Sequence, residues 1–467
     1  DAEVAEALAG YARGPLLLNG LTTLDADTAK ALAEFKGQLL FLNGLTKLDA
    51  DTAKALAEFK AHGLVLGGLT TLDADTAKAL AAFQGDSINA GLTTLDAGTA
   101  RALAGFKVQK LRLAGLTTLD ADIAKALAEF KGLMLALDGP KTLDANTAKA
   151  LAAFKGAVLN AGLTTLDAAS AKALAEFKGL MLALDGPKTL DANTAKALAA
   201  FKGAVLNAGL TTLDAASAKA LAEFKGQMLW LDGPKTLDAN TAKALAAFKG
   251  AVINAGLTTL DAEAARALAR FGGQTLGVGD LAVLDADAAK ALAEFKGQSL
   301  YLNDLTTLDA HAAKAIAEFK GQMLYLKGLT TLDADTAKAL AKFKAQWLYL
   351  DGLTTLDADT AKALAEFKGQ MLYLKGLTTL DADTAKMLAA NEKWDGQLPG
   401  LTAFESPDSV AIAQALATRK GPLSLPKLKK ISPKTLTALI EKRDVVIPLL
   451  ETLELIQEPD GSVTEDF

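Results

Sequence analysis

Leucine and alanine recur along this chain with two alternating periods, and the pair of periods is itself repeated about every 24 residues. In the segment LLFLNGLTKLDADTAKALAEFKA, which starts at Leu39, Leu40 and Leu42 alternate around one other residue, and the apolar residues that follow fall three or four apart. Alternation predicts a short strand, whereas the wider spacing predicts a helix. About nineteen near-copies of this unit fill the chain, the last three of them degraded. We therefore predict a solenoid in which each unit buries its apolar face against its neighbours.

The helical half of the unit carries its own start and stop signals. In the copy from 50 to 60, Asp49 is the predicted N-cap, and Thr52 follows three residues later. Ala53, Leu56 and Phe59 fall on one face of the predicted helix of about eleven residues, so this face is expected in the core. A glycine that follows in most units is the predicted C-cap, as at Gly37, Gly132 and Gly179.

The LxLxxLxxL strand and turn followed by a helix resembles the leucine-rich repeat family, in a bacterial variant with units of 23 and 24 residues. The resemblance covers essentially the whole chain. It implies an α/β solenoid of about 19 units, with a parallel β-sheet on the concave face and short α-helices on the convex face. Strands stack about 4.8 Å apart and packed helices about 8–10 Å apart, which also predicts a curved stack. An array of paired helices is the alternative, although such repeats run above about 30 residues.

One departure from the family concerns the turn after the strand. The asparagine usual in the family is a leucine here, as at Leu21, Leu45, Leu69 and Leu377. A ladder of hydrogen bonds between turns is therefore expected from paired threonines, such as Thr22 and Thr23. Asparagine occurs instead in the four 23-residue units, always within NAG, at Asn89, Asn160, Asn207 and Asn254. We interpret these four as internal turn ligands rather than as ligand contacts.

Regularity along the chain predicts three segments. Residues 1–390 form the regular leucine-rich-repeat solenoid, 391–457 are divergent repeats predicted to act as a C-terminal cap, and 458–467 are a polar tail or linker. Solenoids need a terminal unit whose outer face tolerates water, which is the role expected of the cap. The chain starts inside a helical half-unit without Met, so we expect a processed product or a fragment.

The residue between the two strand leucines is predicted to point out of the sheet. Along the chain these residues are Leu17, Phe41, Val65, Ile88, Arg112, Ala136, Leu159, Ala183, Leu206, Trp230, Ile253, Gly277, Tyr301, Tyr325, Tyr349 and Tyr373. The predicted flanking residues are Met323, Trp347 and Met371 on one side and Asn303, Lys327, Asp351 and Lys375 on the other. An aromatic patch edged by charges is typical of a binding surface for a peptide, a protein or a sugar. The alternative is that the tyrosines only favour the sheet and were copied with their unit.

Other chemistry finds little support in the sequence. A net charge of −6 gives no reason to expect nucleic acid binding, and the absence of cysteine excludes disulfides and thiolate metal sites. The repeated DAD carboxylates are explained as helix caps, and the two histidines, His62 and His311, lack an evident partner. No apolar run reaches the roughly 18 residues that a membrane span needs. We therefore predict no cofactor, no metal and no catalysis, and interpret the C-terminal basic cluster around Lys442 as solvated cap charge.

The predicted function is non-catalytic recognition of a protein or an extended polymer, such as a polysaccharide, along the concave sheet. The alternative is a structural protein that self-associates into dimers or fibres, because the apolar N-terminal half of the same face suits coverage by another copy. The compartment stays open, with a preference for a secreted or cell-surface location.

Overall fold

The computed structural model describes residues 2–9, 14–35, 37–60 and 62–458. The predicted tail, apart from Glu458, therefore lies outside the described residues. Two compact units divide the chain: Asp1–Pro234 with Phe248–Gly250, and Lys235–Ala247 with Ala251–Phe467.

In the described part of the first unit, ten helices and ten strands alternate. The helices are α1 (Ala2–Ala9), α2 (Ala26–Ala33), α3 (Ala50–Ala57), α4 (Ala74–Leu80), α5 (Ala97–Ala104), α6 (Ala121–Leu127), α7 (Ala145–Ala152), α8 (Ala168–Leu174), α9 (Ala192–Ala199) and α10 (Ala215–Leu221). The strands are β1 (Leu16–Leu17), β2 (Leu39–Phe41), β3 (Gly63–Leu66), β4 (Ser87–Ala90), β5 (Lys110–Leu113), β6 (Met134–Leu137), β7 (Val158–Ala161), β8 (Met181–Leu184), β9 (Val205–Ala208) and β10 (Met228–Leu231).

The second unit continues the alternation and ends in less regular elements. Its helices are α11 (Ala239–Leu245), α12 (Ala262–Leu268), α13 (Ala286–Leu292), α14 (Ala310–Ile316), α15 (Ala334–Leu340), α16 (Ala358–Ala365), α17 (Ala382–Ala390), α18 (Ser409–Ala417) and α19 (Pro433–Ile440), with a 3-10 turn at Leu450–Thr452. Its strands are β11 (Val252–Gly256), β12 (Thr275–Gly279), β13 (Ser299–Tyr301), β14 (Met323–Tyr325), β15 (Trp347–Tyr349), β16 (Met371–Tyr373), β17 (Leu423–Ser424), β18 (Lys430–Ile431), β19 (Val445–Val446) and β20 (Glu454–Leu455).

The strands β1 to β16 form a parallel sheet in sequence order, and β17–β19 and β18–β20 form two small parallel pairs. Equivalent residues of successive units are paired, as Leu40 is with Leu64 and Leu324 with Leu348. All four of these leucines are fully buried between the sheet and the helices. This arrangement confirms the predicted leucine-rich-repeat α/β solenoid.

The N-caps form as predicted, but the helices are shorter than predicted. The carboxylate of Asp49 accepts a hydrogen bond from the Thr52 amide at 2.8 Å, and Ala53, Leu56 and Phe59 are buried. The helix nevertheless ends at Ala57 after eight residues. The Phe59 amide bonds to the Leu56 carbonyl in a tighter turn, which closes the helix and directs the ring into the core. The prediction of eleven helical residues was therefore wrong.

Gly37, Gly132 and Gly179 are not C-caps, contrary to the prediction, because the C-caps of their helices are Glu34, Ala128 and Ala175. The helices before these glycines end at Ala33, Leu127 and Leu174, several residues earlier. A side chain at Gly132 would instead collide with the Phe130 ring and with the Val108 carbonyl. These phenylalanine rings stack from unit to unit, as Phe130 does on Phe154 with centroids 6.2 Å apart. Glycine is required here because the ring and the neighbouring backbone occupy the space of a Cβ.

Hydroxyl groups provide the ladder between turns, as expected. The first threonine of a pair donates to the carbonyl of the equivalent residue one unit earlier, as Thr93 does to Thr70 at 3.2 Å. The same contact recurs at Thr164, Thr211, Thr258, Thr306 and Thr378. A second ladder was not predicted. The Ser170 hydroxyl donates to the Leu143 carbonyl, and the Ser217 hydroxyl to the Leu190 carbonyl, each at 2.7 Å. Each acceptor is the leucine just before the N-cap of the previous unit. The neighbouring units are thus joined by polar contacts on both sides of the capping aspartate.

Candidate functional site: the exposed face of the sheet

The sheet register shows which side chain near the middle of each strand points to the exposed face. We call this series, which includes Val65, Asn89 and Arg112, the central row. In the first compact unit, Val65 pairs with Asn89 and Asn89 with Arg112. Ile88 pairs with Leu64 and is buried. Three equivalent residues are buried in the same way: Leu159, Leu206 and Ile253. The prediction that these three side chains and Ile88 point outward was therefore wrong. The corresponding outward residues are Asn89, Asn160, Asn207 and Asn254. The register therefore places the four asparagines on the strands and not in the turns, contrary to their interpretation as internal turn ligands, and Asn207 is buried there.

The missing residue of the 23-residue units explains this error. The distance in sequence from the helix phenylalanine to the strand is the same in both kinds of unit, from Phe35 to Leu40 and from Phe83 to Ile88. The deletion therefore lies after the strand, and counting backwards from the next leucine shifts the strand by one residue. A shift of one residue exchanges the two faces of a strand. The N-terminal half of the sheet face is consequently more polar than the sequence suggested.

Four tyrosines form the most regular part of the central row. Tyr301, Tyr325, Tyr349 and Tyr373 are in register on β13 to β16. Their rings lie face to face, with successive centroids 4.1, 4.2 and 4.3 Å apart and planes within 8° of parallel. We call these residues the tyrosine stack. Each side chain is half-buried: neighbouring rings cover both faces of Tyr325 and Tyr349 and one face of each end ring.

Burial and the neighbouring hydroxyls favour the neutral form of Tyr325 and Tyr373. Burial raises the pKa of Tyr325, and the hydroxyls of Tyr301 and Tyr349 beside it act in the same direction. Burial likewise raises the pKa of Tyr373 to about 12, with the Tyr349 hydroxyl as the next cause. The Tyr325 hydroxyl also donates to the Met323 sulfur at 3.2 Å. Tyr325 and Tyr373 therefore present neutral hydroxyls at physiological pH.

The predicted flanking residues lie beside the tyrosine stack. Met323, Trp347 and Met371 are in register and half-buried on one side. On the other side, the Lys327 ammonium lies 5.4 Å from the ring centroids of both Tyr325 and Tyr349 and 3.8 Å from the Asp351 carboxylate. The Lys375 ammonium lies 5.1 Å from the Tyr373 ring.

Trp230 is in a different part of the chain. It lies in the first compact unit, in register with Asn207, and is half-buried. The structure thus brings together every predicted site residue except this tryptophan.

A buried carboxylate closes the C-terminal end of the tyrosine stack. Trp394 bridges to Leu372, so the next residue, Asp395, takes the central-row place after Tyr373. The Asp395 side chain is only 6% exposed and lies 3.8 Å from the Lys375 ammonium. One of its oxygens accepts from the Gln397 amide, whereas the other, Oδ2, makes no hydrogen bond within the described residues. Sequence reasoning missed Asp395, although the WDG at 394–396, where regular units have Leu-Tyr, was a visible signal.

The environment of Asp395 predicts a pH-dependent stability. Burial raises its pKa from 3.8 to about 6, despite the opposing amide and lysine. Because the pKa of Asp395 is higher in the folded than in the unfolded protein, its protonated form stabilises the fold. This contribution is complete below about pH 4 and is lost as the pH rises through 6. Asp395→Asn resembles the protonated form. We expect it to raise the free energy of unfolding by up to about 3 kcal/mol at pH 7.5, and by only about 1 kcal/mol at pH 4.5, where most of the folded carboxyl is protonated.

Urea denaturation of both proteins at the two pH values, followed by tryptophan fluorescence, measures this difference. The helix caps do not interfere, because the Thr52 amide lowers the pKa of Asp49 and such caps lose their effect only as the pH falls below about 4. An Asp395→Asn effect of the same size at pH 4.5 and 7.5 would contradict the assignment.

The first unit has a different pattern of polar contacts on its exposed face. The Asn160 amide donates to Asp185 at 2.5 Å, and the Asn207 amide to Asp232 at 2.8 Å. The Arg112 guanidinium is paired with Asp138. Each contact joins a central-row side chain to the aspartate that follows the next strand. These side chains are therefore already engaged with one another.

Further cavities and polar groups lie on other surfaces. A cavity of about 660 Å³ is lined by Phe295, His311 and neighbouring lysines on the helix side, and similar grooves recur beside Phe177 and Phe201. The recurrence indicates ordinary packing of alanine-rich helices. His62 has a partner after all, because its ring lies 2.7 Å from Asp86. Across 2–9, 14–35, 37–60 and 62–458, no group of three acidic or histidine side chains could hold a metal ion. No helix in the same ranges is long and apolar enough to cross a membrane.

Comparison with known proteins finds similarity to solved structures but to no protein family model and no curated protein. A leucine-rich repeat protein of Leptospira interrogans is 20% identical, with 98% of each chain covered and a TM-score of 0.34. The complex of TLR13 with ssRNA13 is 17% identical over 93% of this chain and 68% of that one, with a TM-score of 0.36. An internalin of Listeria monocytogenes is 14% identical over 82% and 96%, with a TM-score of 0.34.

Proposed function

We propose that this chain, a bacterial variant of the leucine-rich repeat fold, is a non-catalytic recognition module. It binds a protein or an extended polymer along the exposed sheet face of its second unit. The observation that carries this proposal is the tyrosine stack with Trp347 and Lys327 beside it. Tyrosine, tryptophan and a cation over an aromatic ring supply large rigid contact area and polar tips, which are the usual anchors of interfaces.

The rigidity of the surface supports the same proposal. The tyrosine stack and the pair between Lys327 and Asp351 fix the side chains before a partner arrives. A partner then loses little affinity to side-chain ordering on this surface. The face is also several strands tall, which suits an extended partner such as a peptide or a polysaccharide.

Capture from native extract tests the proposal. We expect the parent to retain a partner that is lost when Tyr325, Trp347, Tyr349 and Tyr373 are all changed to Ser. The control changes three exposed lysines of the helix face, Lys314, Lys338 and Lys362, to Ser and should retain the partner.

A second variant separates loss of the surface from loss of stability. Each stacked pair of rings contributes about 0.5–1.5 kcal/mol, so the fourfold variant is expected to melt at a lower temperature. Trp347→Ser combined with Lys327→Ser leaves the tyrosine stack intact and should weaken capture with a smaller fall in melting temperature than the fourfold variant. Equal capture by the parent and by both surface variants would exclude this face as the binding site.

Self-association is the second candidate, and the end of the second unit supports it. Val446, Leu449, Leu450 and Leu455 are between 55% and 70% exposed. Val446 and Leu455 belong to strands that each pair on one side only within the described residues, and such edges can pair with another chain.

Molar mass in solution separates the two candidate functions. Recognition by a monomer predicts the same molar mass at all protein concentrations, whereas self-association predicts a molar mass that rises with concentration.

A further inference from the structure

The N-terminal end of the tyrosine stack is open, unlike its C-terminal end. Tyr301 pairs with Gly277 on β12, and Gly277 has no side chain to cover the ring. Within the described residues, the only ring stacked on Tyr301 is that of Tyr325. One face of the Tyr301 ring is therefore available.

The opening spans one strand of the central row, that of Gly277. The next central-row side chain is Asn254, which pairs with Gly277 and so lies two strands from Tyr301. Two strand spacings amount to roughly 9–10 Å, which leaves one vacant place in a stack of this kind. The Asn254 side chain leans over Gly277 and forms the floor of this place, because both its Oδ1 and its Cγ would meet a Cβ there.

The Asn254 amide lacks the partner that its counterparts have. The Asn160 and Asn207 amides donate to the aspartates 25 residues later, Asp185 and Asp232. The residue 25 positions after Asn254 is Gly279, which has no acceptor side chain. In the part of the chain that the structure describes, the Asn254 side chain makes no hydrogen bond. A donor is thus free at the base of the opening.

We propose that Tyr301, Gly277 and Asn254 form a slot for one tyrosyl side chain of a protein partner. The inference rests on the proposed function, since it names the part of a partner that this sheet face anchors. A ring that enters from solvent stacks on Tyr301 and points its hydroxyl toward the Asn254 amide. Tyrosine fits because it combines a flat face for stacking with a polar tip that accepts this hydrogen bond.

N-acetyl-L-tyrosinamide is the probe, and saturation-transfer NMR is the measurement. We expect saturable binding to the parent, roughly fivefold weaker binding of N-acetyl-L-phenylalaninamide, which lacks one hydrogen bond, and none of N-acetyl-L-leucinamide. Gly277→Tyr fills the slot with a ring of the chain itself and should abolish binding. Val65→Tyr, which adds a tyrosine to the same row in the first unit, should bind like the parent.

Asn254→Ala tests the hydrogen bond separately and should remove the preference for the tyrosine probe over the phenylalanine probe. The absence of saturable binding to the parent, equal binding of the leucine probe, or binding by Gly277→Tyr equal to the parent would overturn the inference. A denaturation curve shows whether Gly277→Tyr is folded, and Asn254→Ala keeps the test decisive where it is not. A captured partner that is lost by the fourfold serine variant but kept by Gly277→Tyr would refute the slot alone and leave the proposed function standing.

Discussion

Changing Leu324 to Asp should unfold the units around β14. Leu324 is fully buried and lies in register with Leu348. Loss of a buried leucine costs about 2–5 kcal/mol, and an unpaired buried carboxylate adds several more. The sum exceeds about 5 kcal/mol, which is exceptional for a single substitution. Because each unit is stabilised only by its neighbours, the damage should spread beyond the substituted strand.

The matched control is Tyr325→Asp, the same substitution one residue further on the opposite face of the strand. Tyr325 is half-buried, so its replacement removes two ring contacts worth about 1–3 kcal/mol together and buries no charge. Urea denaturation followed by far-ultraviolet circular dichroism measures both variants. Equal losses would show that the two faces of β14 are assigned incorrectly.

A chain that ends at Ala390 should aggregate or fray from its C-terminal end. The leucines of the last regular unit, Leu372, Leu374 and Leu377, are fully buried in the parent. Trp394, itself fully buried, bridges to Leu372, and the Arg419 guanidinium lies 4.9 Å from its ring. Without the segment from 391 onward, this apolar flank faces water, which promotes association.

The control chain ends at Glu458 and should behave like the parent. Glu458 is buried and accepts hydrogen bonds from the Ser432 hydroxyl and the Lys434 amide, so it belongs with the folded residues before it. Light scattering and thermal melts compare the two shortened chains. If the chain ending at Ala390 stays monomeric and as stable as the parent, the segment 391–457 is not a cap.

The repetition made the fold predictable, because each local signal was present many times. The capping aspartates, the buried leucine row and the threonine ladder follow from chemistry inside one unit or between equivalent residues, and all three are observed at Asp49, Leu40 and Thr93. The helix length and the role of Gly132 were predicted incorrectly. Both depend on the stacked phenylalanine rings, and that contact between units is not visible in a single unit's pattern.

The candidate site was predictable where the units are 24 residues long and not elsewhere. Tyr325 and Tyr349 align without ambiguity, whereas the missing residue near Asn89 allowed two registers that place opposite faces outward. The prediction that the C-terminal lysines are solvated was also wrong for Lys442. This lysine is buried and donates a hydrogen bond to the Arg419 carbonyl at 2.7 Å. Its role depends on a backbone that is distant in sequence, so composition alone gave no sign of it.

The affinity of the captured partner for Tyr349→Ser tests the central claim most directly, because Tyr349 is an inner member of the tyrosine stack with a ring on each face. Removal of such an anchor typically costs about 2 kcal/mol of binding free energy, roughly thirtyfold in affinity. Calorimetric titration of the parent, Tyr349→Ser and the helix-face control Lys338→Ser should show this loss for Tyr349→Ser alone. An affinity of Tyr349→Ser equal to that of the parent would contradict recognition through the tyrosine stack.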